Sequence, residues 1–306
     1  MAEGAAMIPT ILLTGFLGAG KTTLLNRLIG HYADRRLVLL INEFGTVGID
    51  GRLLREGNYE KVELNRGSLF CICVRTDFIA EVERIAQELR PDLLLIEATG
   101  LADTSEMEKM LALPALRSCV RVTACVCVVD CQTFPKIKGV LRAPVSQVRS
   151  ADLVLVNKCD LVPPEVVEQV SAAVQDLAPH AQVLRTQFAD FPLEILDTIR
   201  RPEVSATGPP GEGRPDPLFS YTLQAQGDFD RESWERFVAS LGPGLTRMKG
   251  FISLEGQQAY VDATMANISL HHTGRPADGR NEVVIIGQGL QRAKLEASFL
   301  QALRRI

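Results

Sequence analysis

The sequence has no excess of basic residues. Its 33 Lys and Arg stand against 37 Asp and Glu in 306 residues, a net charge of −4, and the cations are scattered. Nothing in it is arranged to neutralise a run of phosphates, so no nucleic-acid partner is expected. No stretch approaches the roughly 18 consecutive apolar residues that a membrane-spanning helix needs, and no membrane role is expected either. The seven cysteines are odd in number and spread along a long chain, which fits reduced thiols better than a disulfide framework. The run MAEGAAMIPTILL has no basic flank and enters a glycine loop at once, so it reads as a first strand. Repeats and low-complexity tracts are missing apart from one Pro- and Gly-rich stretch. What is left, at 46% hydrophobic and 23% charged residues, is the composition of a globular protein with ample core, expected to be cytoplasmic.

Short apolar runs alternate with longer amphipathic stretches as far as about residue 200. The runs are ILLT at 11–14, LVLLIN at 37–42, DLLLIE at 92–97, VTACVCVVD at 122–130 and DLVLVN at 152–157. Near-continuous apolar strands separated by helices predict an α/β fold, a mostly parallel sheet with helices on both faces. The stretch RPEVSATGPPGEGRPDP, 201–217, has almost nothing to bury and reads as a linker. A smaller α+β domain is expected over 218–306, with strands FSYTLQ, GFISL, QQAYVDA and EVVIIG and helices RESWERFVASL and LEASFLQALRRI. The division is therefore 1–200, 201–217 and 218–306.

The first strand runs into Gly15-Phe16-Leu17-Gly18-Ala19-Gly20-Lys21-Thr22-Thr23, the G-x-x-x-x-G-K-[ST] pattern of a P-loop NTPase. Glycines let the backbone wrap a phosphate chain, Lys21 reaches the terminal phosphates, and the Thr22 hydroxyl suits Mg2+. Base choice falls to Asn157-Lys158-Cys159-Asp160 at the end of an apolar strand. In N-K-x-D the carboxylate accepts two hydrogen bonds from guanine N1 and N2, Asn157 addresses N7, and the Lys158 stem lies along the ring. Adenine lacks those donors, and an unpaired Asp160 would cost several kcal/mol, so the ligand is read as GTP. Between the two motifs, the strand of IEATG ends in Glu97, placed to hold Mg2+ through its water shell, and Gly100 is placed to sense the γ-phosphate. The loop NEFGTVGIDG, 42–51, has the position and glycine content of a nucleotide-sensing switch, with Glu43 or Asp50 to orient water or a metal, or as an acidic surface turn.

GFLGAGKTTLLN, NEFGTVGIDG, ELNRGS with nearby cysteines, IEATG and NKCD together closely resemble the CobW-like family of P-loop GTPases, relatives of the GTPases that insert nickel into urease and hydrogenase. The motif match runs over roughly residues 8–190, and the smaller domain ending in VVIIGQGL fits the family's layout. The resemblance implies slow GTP hydrolysis, delivery of a metal, Zn2+ or Co2+, to a client metalloprotein, and a GTP-dependent homodimer. It also implies that Lys21, Glu43, Glu97 and Gly100 serve hydrolysis.

The chain departs from the family's cysteine run G-C-x-C-C. Ser68 stands where the first cysteine belongs, the thiols arrive as Cys71 and Cys73, and Ile41 and Thr46 replace the glutamates flanking Glu43. Two thiolates and one carboxylate fall short of a tetrahedral zinc set; the rest would come from Cys131, His271 or His272, a dimer mate or a client. On an extended segment Cys71 and Cys73 share one side, which suits a metal, but beside Phe70 and Ile72 they equally suit packing. Without those ligands the same chain would act as a GTP-controlled switch that remodels a client without carrying metal. Cys125 and Cys127 lie in an apolar strand and are expected to pack, and the adjacent His271 and His272 face opposite sides of a strand, so joint ligation is not expected.

Overall fold

The computed structural model describes residues 7–42, 54, 57–64, 72–100, 103–201, 219–264 and 268–303, which fall into two compact units. The first is built from β1 (Ile8–Thr14), α1 (Lys21–His31), β2 (Leu37–Asn42), β3 (Tyr59–Leu64), α2 (Ile72–Arg84), β4 (Leu93–Glu97), α3 (Thr104–Leu111), α4 (Pro114–Arg117), β5 (Val120–Asp130), α5 (Phe134–Ile137), α6 (Ala143–Arg149), β6 (Leu153–Asn157), α7 (Pro164–Leu177), β7 (Gln182–Arg185) and α8 (Ile195–Thr198). Its seven strands form one sheet in the order β3-β2-β4-β1-β5-β6-β7, with parallel pairing throughout.

Apolar continuity decides which strands are central. Leu37, Leu39 and Ile41 of β2 bury on one face with Leu24, Leu25 and Leu28 of α1. Val38 and Leu40 bury on the other with Phe78 and Val82 of α2 and Met107 and Met110 of α3. Both faces are covered, so alternation between apolar and polar residues is lost. The five strands read from the sequence are all present. The two not read, β3 (YEKVEL) and β7 (QVLR), are the sheet edges, where half the positions are polar.

At the end of this unit Arg201 is drawn inward: its guanidinium bonds Glu108 of α3 at 2.6 Å and Asp152, just before β6, at 2.7 Å. Burial pushes the Glu108 carboxyl up, and the Arg201 charge pulls it back.

The second unit comprises β8 (Phe219–Gln226), α9 (Arg231–Leu241), β9 (Leu245–Leu254), β10 (Gln257–Thr264), β11 (Ile268–Pro276), β12 (Arg280–Gly287) and α10 (Arg292–Ala302). Its five strands lie antiparallel in the order β11-β10-β9-β12-β8. Trp234 and Phe237 of α9 and Phe299 of α10 are buried against the sheet, and the Phe237 and Phe299 rings meet at 5.2 Å. Asp230 caps α9 by accepting the Ser233 N–H at 2.7 Å. β11, on which His271 and His272 lie, is not among the four strands expected by pattern for this domain, since this edge strand is mostly exposed. The two histidines occupy adjacent positions, hence opposite faces; the His271 ring stacks on Tyr260.

No described helix is long and apolar enough to cross a membrane. The switch loop from Glu43 to Gly51, and the segment 65–71 with Ser68 and Cys71, lie outside the described residues, as do 202–218. α2 begins at Ile72, so the backbone of Cys73 is helical and not extended. The expectation that one extended segment aligns Cys71 with Cys73 is corrected at that residue.

Candidate functional site

The motifs meet at the carboxyl ends of the central strands, where ligands bind in open parallel sheets. β1 ends at Thr14, and the chain turns through Gly15 at φ 133°, Gly18 at φ 80° and Gly20 at φ 119° into α1. A side chain at Gly15 would run into the Val128 carbonyl of β5, and one at Gly20 would sit 2.6 Å from the Asn157 amide nitrogen. Glycine is therefore required at both positions, by conformation and by space. Gly20 gives α1 no side-chain cap, and the first turn holds no acid, so the opening N–H groups and the positive end of the helix dipole suit an anion.

Lys21 is buried, with Nζ donating to the Gly15 carbonyl at 2.9 Å and to that of Phe16 at 3.5 Å. The loop carbonyls thus hold the ammonium at the mouth of the loop, above the glycine turn. Thr22 is half-buried and Thr23 exposed. In the next strand over, Glu97 pairs in register with Leu13 and is 5% exposed, and its Oε2 has no hydrogen-bond partner. Burial pushes the Glu97 carboxyl above its ordinary range, and the Lys21 charge opposes that. An orphaned buried carboxylate oxygen that feels the charge of the P-loop Lys21 is a hard oxygen donor, the kind that Mg2+ takes. Gly100 packs directly on Leu17, and its carbonyl accepts from Gln147 Nε2 of α6 at 3.1 Å.

The N-K-x-D end is tied to the glycine loop by one side chain. Asn157 is 2% exposed. Its Nδ2 donates to the Ala19 carbonyl at 2.9 Å, while its Oδ1 accepts from Thr186 Oγ1 at 3.1 Å and from the Ala189 N–H at 2.9 Å. Lys158 takes a left-handed φ of 61° and pairs with Asp130 at 2.8 Å, which fixes its stem. Asp160 sits exposed in a short 3-10 turn, Cys159–Leu161.

The sequence reading brought together Gly15, Gly18, Ala19, Gly20, Lys21, Thr22, Glu97, Gly100 and the N-K-x-D residues, and the structure sets them around one end of the sheet. It missed Asp130, Gln147, Thr186 and Ala189. The signal for Thr186 was the buried Asn157 itself, whose amide oxygen needs a donor from the strand beyond. That strand, β7, was not read.

Cys125 and Cys127, two residues apart, are buried on the same face of β5 in two neighbouring core clusters, as expected for packing, and burial pushes the Cys127 thiol up to about 12.

Two family models match the chain. The CobW/HypB/UreG nucleotide-binding domain matches residues 9–185, and the cobalamin synthesis protein CobW C-terminal domain matches 219–303. A zinc-regulated GTPase metalloprotein activator 1 of Dictyostelium discoideum is 29% identical over 64% of this chain and 49% of its own length. A zinc chaperone CobW of Pseudomonas aeruginosa is 30% identical over 62% of this chain and 60% of its own. The chain thus spans about half to three-fifths of these curated relatives. The crystal structure of a Zn(II)-bound YjiA GTPase from E. coli aligns with 97% of this chain and 99% of its own at 20% identity and a TM-score of 0.47. With the first model matched across more than half of its length, the chain belongs to the CobW/HypB/UreG family.

Proposed function

We propose that the chain is a slow GTPase that couples nucleotide state to delivery of a metal, most simply zinc, to a client metalloprotein. The observation that supports it best is the Asn157 clamp, which fastens an N-K-x-D strand end to the P-loop at Ala19. The clamp holds the N-K-x-D end against the phosphate loop, so that in this reading a single nucleotide engages both. In this reading Gly15, Gly18, Ala19, Gly20, Lys21, Thr22 and Thr23 hold phosphates and Asn157, Lys158 and Asp160 hold guanine. Thr22 and Glu97 would hold Mg2+, which neutralises charge on the β- and γ-oxygens when bound. Zinc enters from the names of the relatives, and the client, a GTP-dependent dimer and the 1–200, 201–217 and 218–306 division enter with the family reading. Calorimetry should show GTP preferred over ATP by at least roughly 100-fold, since two guanine donors meet Asp160. Equal affinity removes the assignment.

The helical backbone at Cys73 favours a second reading, a GTP-controlled switch that carries no metal, because the extended spacing that aligned the two thiols does not hold there. Metal analysis separates the readings. For a carrier, Cys71→Ser with Cys73→Ser removes near-stoichiometric zinc or cobalt in the GTP state and leaves the metal-free melting temperature almost unchanged. For a switch, wild type and double mutant are both metal-free, and the mutant loses about 1 to 3 kcal/mol if the thiols are core groups.

A further inference from the structure

Two thiols stand against the base-reading motif, and the nucleotide reading assigns neither a role. Cys131 directly follows Asp130 at the end of β5, and Cys159 is the variable residue of N-K-x-D. Their Sγ atoms lie 3.8 Å apart, with no disulfide between them. Cys131 is fully buried, its N–H donating to the Asn157 carbonyl at 3.1 Å, and Cys159 is half-buried, its N–H donating to the Thr186 carbonyl at 3.2 Å. Cys159 Sγ points back at the Val156 carbonyl, 3.1 Å away. The backbones that place the two thiols are therefore the ones that place Asn157 and its partner Thr186.

We infer that Cys131 and Cys159 form a redox modification site that takes a low-molecular-weight disulfide as its oxidant and, once closed, disables the guanine pocket. The inference rests on the guanine reading for its consequence, though not for the bond itself. The chemistry is two exchanges. The Cys159 thiolate attacks one sulfur of the small disulfide, forming a mixed disulfide and expelling one small thiolate. Cys131 then loses its proton and attacks Cys159 Sγ, expelling the second. The protein gives up two electrons and two protons, and one small disulfide becomes two thiols.

The order follows from exposure, since only Cys159 is open to a reagent. Burial, followed by the neighbouring Cys159, pushes the Cys131 thiol up to about 12, so it rests as a protonated thiol. Capping Cys159 removes that neighbour's charge and hydrogen bond, and with them part of the upward push on the resolving thiol.

Closing the bond shortens the Sγ separation from 3.8 Å to about 2.05 Å. Cys131 is held by the β5–β6 ladder, whereas Cys159 lies in a short surface turn, so Cys159 gives way. It carries with it Lys158, paired to Asp130, and Asp160 on its other side. A misplacement on the order of 1 Å in a positioned polar group is enough to spoil its function.

The test compares the whole chain kept reduced with the chain equilibrated against glutathione disulfide, reading peptide maps without reduction and GDP affinity by calorimetry. Expected are a Cys131–Cys159 peptide, a loss of GDP affinity of at least tenfold, recovery with dithiothreitol, a glutathione-capped Cys159 with no internal link in Cys131→Ala, and no modification at this site in Cys159→Ser. Failure to form this link under conditions that cap the half-buried Cys119, linkage of Cys159 to another cysteine, or a formed link with unchanged affinity overturns the proposal. If the reduced chain takes no guanine nucleotide, the reading of the pocket fails, while the peptide map still decides the modification site.

Discussion

Lys21→Ala is expected to cut GTP hydrolysis by on the order of 10²–10³-fold or more while leaving the fold in place. The ammonium is aimed by two loop carbonyls, Gly15 and Phe16, and the glycine turn that shapes the loop does not depend on it. Removing the charge acts twice. It takes away the cation proposed to face the terminal phosphates, and it removes a counterweight to the burial of Glu97, whose carboxyl then moves further up and is less able to hold the proposed divalent ion. Turnover and circular dichroism on the same preparation check both halves. The wild-type rate should itself be slow, because Leu101, not a glutamine, follows Gly100, and a basal rate above roughly 1 per second would contradict this account.

The second large effect is a change of base. Asp160→Asn should shift preference from guanosine to xanthosine triphosphate, with GTP affinity falling by roughly 100-fold, because an amide presents a donor where the carboxylate accepted. Asp160 is exposed in its turn, so the substitution should not disturb stability. The effect then isolates recognition. If the variant keeps full GTP affinity, the base is read elsewhere, and the Asn157 clamp must be assigned a purely structural role.

Much of this was legible in the residues. The central strands announced themselves because burial on both faces leaves no polar positions, and the P-loop because only glycine fits beneath Val128 and beside Asn157. The edge strands β3, β7 and β11 did not, since one side of each meets solvent and their polar content mimics a loop. Missing β7 concealed Thr186 and Ala189, and with them half of the Asn157 clamp. Asp130 looked like an ordinary strand-end acid, and only the positive φ of Lys158 turns that ammonium onto it. The thiol pair escaped because its members are 28 residues apart in sequence and become neighbours only through the β5–β6 pairing.

The strand order also sets a timetable for synthesis. β1 lies between β4 and β5, with Thr10 opposite Leu94 on one side and Val122 on the other. When synthesis has reached only Leu64, β2 and β3 have each other, yet β1 has no partner among the described strands. Its partners arrive some 80 and 110 residues later, and every link between them is a long crossover, the slowest kind to close. Until then ILLT is a sticky segment on an unfinished chain, and a phosphate loop cannot exist, because Val128 and Asn157 have not yet been made. In the second unit only β8 waits, for its partner β12, while β9 and β10 are joined by the two-residue turn Glu255–Gly256 and zip as soon as they emerge. Shielding of the nascent amino-terminal half, rather than of the carboxyl-terminal one, is therefore what the cell must provide for this chain.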